Sequence, residues 1–121
     1  MSKVIMVIDD SPSIRQLASF TLKSAGFEVI EASDGQEALG KLDGSKIHLI
    51  VSDVNMPNMD GITFVREARK IPRYQFTPIM ILTTESDTSK KLQGKEAGAH
   101  AWLVKPFNPD RLLKAVNKLV A

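Results

Sequence analysis

The sequence predicts a doubly wound α/β domain, a parallel sheet with helices on both faces, and three observations point there. Five short apolar runs alternate with segments of helical periodicity along the 121 residues. The first run, VIMVI, is continuous rather than alternating, as a parallel strand covered on both faces requires. No stretch reads as linker, repeat or low complexity, and the length suits one domain with one sizeable core. Parallel strands need helical crossovers, so the alternation and the sheet type support each other.

Each element has its own signal. Val4 to Ile8 is the first strand. Ser11 is then an N-cap and Pro12 the first helical residue, with Ile14, Leu17, Ala18, Leu22 and Ala25 at helical spacing before Gly26 stops the helix. Phe27 to Glu31 reads as the second strand, and Ser33 with Gln36 resembles a capping box opening a helix through Leu42. Leu49 to Ser52 is the third strand and runs straight into Asp53. Past the turn-rich NMPNMDG comes a helix from about Ile62 to Lys70, then Pro72, then Ile79 to Leu82 as the fourth strand. The fourth helix, in DTSKKLQGKEAG, is weak: beyond Leu92 and Ala97 it has little apolar material, and Gly94 lies inside it. Ala101 to Val104 is the fifth strand. Asn108 caps and Pro109 starts the last helix, whose Leu112, Leu113, Val116 and Val120 form a buried stripe.

Composition narrows the function classes. No apolar run approaches the ~20 residues that cross a bilayer, and the acids after the first run argue against a signal peptide, so a cytoplasmic location is expected. Without cysteine there is neither a disulfide framework nor a thiolate metal site. A net charge of +2 is too mild and too dispersed for a nucleic-acid footprint. Recognition has to be local, with neither nucleic acid nor membrane as partner.

Ligands of such sheets bind beyond the carboxyl ends of the strands, where strand order reverses. The first strand ends in Asp9 and Asp10, the third in Asp53, the fourth in Thr83 and the fifth in Lys105. Two adjacent carboxylates repel, and a cation relieves the repulsion. Three carboxylates on one edge describe an oxygen site for a hard divalent ion, and Mg²⁺ suits it because it takes few carboxylates and completes its shell with water or phosphate oxygens. Such a site serves structural ion binding or phosphoryl transfer to a carboxylate. Lys105 and Thr83 favour transfer, since a phosphoryl group needs positive charge and donors on its oxygens.

These residues carry a resemblance. IDD at the first strand, SDVNMPNMDG around Asp53, ILTTES at the fourth strand and LVKPFNP at the fifth resemble the receiver domain of bacterial response regulators, most of all the single-domain chemotaxis regulators of the CheY type, across the whole chain. The resemblance implies a flavodoxin-like five-stranded sheet in order 2-1-3-4-5 with five helices. It implies one receiver domain over residues 1–121 with no output domain, acting as a monomeric signalling protein rather than as an enzyme on other substrates. Asp53 would be phosphorylated by a histidine kinase. Asp10 and Asp53 would bind Mg²⁺ directly, Asn55 through its main-chain carbonyl and Asp9 through water. Thr83 would bind a phosphoryl oxygen, Lys105 would pair with the phosphorylated site, and the Lys105–Pro106 peptide would be cis. Thr83 and Trp102 would form the switch, Trp102 standing where Tyr or Phe is usual. Thr84 and Glu85 would flank the path of hydrolytic water. The output would be binding of a protein such as a flagellar motor component through the face of the fourth helix, fifth strand and fifth helix.

Alternatives are weaker. An aspartate-based phosphatase usually has a second acid two residues after its nucleophile, where this chain has Asn55, and a nucleotide site wants a glycine-rich first turn where it has DDSPS. A phosphorelay intermediate, handing its phosphoryl group to a histidine phosphotransfer protein, stays open. Asn58, Asp60 and Gly61 read as a turn and a helix start without chemistry. Met6, Met56, Met59 and Met80 read as core filler, His48 and His100 as surface residues, and Lys91, Lys95, Lys114 and Lys118 as solvated helix faces.

Overall fold

The computed structural model describes residues 2–84 and 88–120. Five parallel strands, β1 (Val4–Ile8), β2 (Glu28–Ala32), β3 (Leu49–Asp53), β4 (Ile79–Thr84) and β5 (Ala101–Lys105), lie in the order β2-β1-β3-β4-β5. Helices α1 (Pro12–Ser24), α2 (Gly35–Gly40), α3 (Gly61–Arg69), α4 (Thr88–Ala97) and α5 (Pro109–Val120) connect or follow them, with a 3₁₀ turn at Pro72–Tyr74. This is the flavodoxin-like arrangement expected, 3₁₀ turn apart.

Period-two alternation divides each strand between two cores. Ile5, Val7, Leu49, Val51, Met80 and Leu82 pack with Ala18 and Leu22 of α1 and Leu112 and Val116 of α5. Met6, Ile8, Ile50, Ile79 and Ile81 pack on the other face with Ala38 of α2 and Phe64, Val65 and Ala68 of α3. Leu112 and Val116 have no exposed surface, so each contributes about 1.5–3 kcal/mol of burial and holds α5 to the sheet.

The helix starts mostly match expectation. The Ser11 hydroxyl accepts from Ile14 N at 3.4 Å with Pro12 in the first turn, and Asn108 Oδ1 accepts from Arg111 N at 2.8 Å. Helix α2 differs. Its cap is Asp34, which accepts from Glu37 N at 2.8 Å, while Glu37 turns back to accept from Ser33 N and Oγ. Ser33 is therefore held by Glu37 instead of capping. Strand β2 starts one residue later than expected, because Phe27 N is taken up by Leu22 O in the turn that follows α1. On α4, Leu92 is exposed, and Gly94 and Ala97 face the protein instead, a thin seam as the sequence suggested.

His100 is exposed, as expected, and His48 is half-buried, yet each also holds a neighbouring strand. His48 N donates to Val4 O at 2.8 Å and its Nδ1 accepts from Val4 N at 3.0 Å. His100 does the same to Ile79, donating to its oxygen at 2.8 Å and accepting from its nitrogen at 3.3 Å. In both places the chain peels away before β3 or β5 begins, and the imidazole takes the N–H that the ladder leaves over.

Candidate functional site

The chain leaves β1 toward β2 and leaves the neighbouring β3 toward β4, in opposite directions, which opens a crevice at the carboxyl ends of β1 and β3. Register brings the expected residues to that edge: Ile8 is level with Ser52, Asp53 with Leu82, and Thr84 with Lys105. Asp53 closes β3 rather than following it, and Lys105 closes β5.

Asp9, Asp10 and Asp53 each offer one carboxylate oxygen within 4.8 Å of the others. Asp9 is fully buried. Its Oδ1 accepts from Ser11 N at 2.9 Å, and its Oδ2 faces the Lys105 ammonium at 2.8 Å without a well-directed hydrogen bond. Asp53 is 8% exposed, and its Oδ1 accepts from Val54 N at 2.8 Å and lies 3.2 Å from Lys105 Nζ. Lys105 thus reaches past β4 to bridge two acids. Asp10 is exposed, Thr83 is buried at the end of β4, and Asn55 lies exposed in the loop after β3.

The electrostatics follow. Burial pushes the Asp53 carboxyl up from its ordinary value, the charge of Asp9 adds to the rise, and Lys105 offsets only part of it. Burial works against the Lys105 ammonium, but its close contact with the Asp9 carboxylate and the charge of Asp53 outweigh it and raise its pKa. Three carboxylates against one ammonium leave a site short of positive charge. A donor set of oxygens alone, with one acid exposed, fits a hard dication with open positions and no soft metal.

Thr84 is exposed, and Glu85 lies outside the described residues. Trp102 is half-buried, level with Ile81, and packs on the α3 side of the sheet. The Lys105–Pro106 peptide is cis. One residue the sequence did not single out is Arg15, whose Nη1 donates to Asp9 O at 2.7 Å and whose Nε donates to Glu31 at 3.2 Å, tying the β1 end to β2. Its position one turn beyond the Ser11 cap was the available signal.

The response regulator receiver domain family matches residues 5–117. The crystal structure of the chemotaxis response regulator CheY4 of Vibrio cholerae is 50% identical and superposes with a TM-score of 0.94, covering 98% of this chain and 99% of that one. The alkaline phosphatase synthesis transcriptional regulatory protein PhoP of Bacillus subtilis (strain 168) is 42% identical over 109 residues, 90% of this chain and 45% of that protein. The response regulator Rre1 of Synechocystis sp. is 35% identical over 118 residues, 97% of this chain and 51% of that protein. The chain spans about half the length of the curated relatives it matches.

Proposed function

The chain belongs to the response regulator receiver domain family, and from that premise we propose that Asp53 accepts a phosphoryl group from a histidine kinase and that the modified domain changes its binding to a target protein. The observation that supports this most is the Lys105 bridge, an ammonium between the buried Asp9 and Asp53 that structural ion binding alone does not call for. A phosphohistidine donor loses its N–P bond as an Asp53 oxygen forms the new O–P bond, and the leaving imidazole keeps the electron pair. Asp53 must be ionised to attack, and Lys105 favours that state against burial. Asp9, Asp10, Asp53 and the Asn55 main-chain carbonyl would hold Mg²⁺, which supplies charge neutralisation on the phosphoryl oxygens. Thr83 would donate to one of those oxygens, and Trp102 would follow it toward the protein interior.

The 50% identity to CheY4 supports a chemotaxis role, with a motor component as target. The groove of about 360 Å³ beside β5 and α5, lined by Leu103, Arg111, Lys114, Ala115 and Lys118, suits an apolar segment that carries acids. A small phosphodonor with Mg²⁺ should add one phosphoryl group by mass and change Trp102 emission, and Asp53→Asn should abolish both. Full labelling in excess EDTA refutes the mechanism. Labelling without any change in emission refutes the Trp102 switch.

A further inference from the structure

The loop between β3 and α3 is held from outside by the start of α2. Asn58, at φ 68°, is the one residue other than glycine with positive φ among the described residues. Met59 N donates to Pro57 O at 2.7 Å across it, which is the rare, strained form of the γ-turn. Its own side chain spans to another element: Asn58 Nδ2 donates to Asp34 Oδ2 at 2.8 Å, while Asp34 Oδ1 caps α2 through Glu37 N. Beside this contact Gly35 N donates to Met59 O at 3.3 Å, and a Cβ on Gly35 would lie 2.9 Å from that oxygen, so the approach needs glycine. At the loop's far end Gly61 N donates to Val54 O at 2.8 Å.

A solvent-exposed contact of this kind adds little to global stability, and a strained turn subtracts from it. What the pair does achieve is to fix the path of the chain between Val54 and Gly61. That path carries Asn55, whose carbonyl is a proposed Mg²⁺ ligand, so the following rests on that reading. We propose that Asp34 and Asn58 form a clasp that positions the β3–α3 loop for cation binding, making both of them positioning residues and coupling the α2 start to the site.

The test is Mg²⁺ titration of the full chain by calorimetry, with amide hydrogen exchange at Met59 and Gly61 in the metal-free protein. Asn58→Asp sets two carboxylates against each other. On long-range charge alone it would tighten cation binding, whereas loss of the clasp should weaken it about fivefold, the scale of one ordinary net hydrogen bond at an exposed position. The same variant should speed exchange at Met59. Exchanging the partners in Asp34→Asn/Asn58→Asp leaves the net charge unchanged, keeps an oxygen to cap α2 and restores the bond in reverse, so affinity should return to within about twofold of the parent. Asn58→Gly, which tolerates positive φ but lacks the amide, covers the case in which Asn58→Asp fails to fold, and should weaken binding about threefold. Unchanged or tighter binding in Asn58→Asp and unchanged binding in Asn58→Gly overturn the clasp. A parent protein that binds no Mg²⁺ overturns the metal reading itself and is a different result.

Discussion

Replacing Gly61 with alanine tests how closely helix α3 is set against the phosphoacceptor strand. A Cβ at Gly61 would lie 1.9 Å from Asp53 O, whereas such contacts stay at or above 3.0 Å, so helix and strand must part by about 1.1 Å. Parting them strains a packed region, at about 1–3 kcal/mol, and weakens the 2.8 Å Gly61 N to Val54 O bond, at about 1 kcal/mol more. A loss of about 2–4 kcal/mol lowers the melting temperature of a domain this size by about 8–16 °C. Gly40, at the end of α2, is the control, because a Cβ there meets nothing within 4 Å and its φ is not positive. Gly40→Ala should leave the melting point unchanged or raise it slightly, by up to about 1 kcal/mol of stability. Calorimetric melts of both variants in EDTA decide the matter. A Gly61→Ala protein that melts within about 2 °C of the parent would refute the argument that the close approach leaves no room for a side chain.

Other consequences are measurable in the same way. The Asp53 carboxyl is raised by burial and by Asp9, so its charge opposes folding above the raised pKa and that penalty disappears as pH falls through it; Asp53→Asn should melt higher than the parent at pH 7 in EDTA, with the gap closing in acid or on adding Mg²⁺. His100 is lowered from its ordinary 6.5 by burial and by Arg69, so its contribution is present above about 6.5 and is lost as pH falls through the lowered value. Urea titrations from pH 7.5 to 5 should show that loss in the parent and less of it in His100→Asn, whose amide oxygen accepts at any pH. Tyr74 is buried, with its hydroxyl donating to Ser45 O at 2.8 Å and accepting from Gly44 N at 2.9 Å. Tyr74→Phe leaves both groups without that partner and should cost about 1–2 kcal/mol in urea unfolding.

The site's acids and lysine were legible because continuous apolar strands end abruptly in Asp9, Asp53 and Lys105, and a parallel sheet sends all strand ends to one edge. Which acid caps α2 was not, since Ser33 and Asp34 are both good caps and only Glu37 folding back on Ser33 decides between them. Asn58 looked like turn material because its role depends on Asp34, 24 residues away, and no local pattern records such a pairing. That His48 and His100 each hold a neighbouring strand was not legible for the same reason. A lone histidine has no periodic signature, and its partner here is a main-chain N–H on another strand.

Those two histidines act as gauges. A parallel strand has no hairpin turn to set its register, so alignment has to come from pattern and from its ends. His48 immediately precedes the five-residue β3, which closes in Asp53, and His100 immediately precedes the five-residue β5, which closes in Lys105. Each imidazole docks on the first residue of the strand alongside, Val4 or Ile79, and from there one strand length is counted out to the charged residue at the other end. Inserting one residue into either strand would leave the imidazole docked while carrying Asp53 or Lys105 past its partners. The spacing between histidine and charge is thus a measured length, and the ion pairs at the far edge depend on where the near edge is anchored.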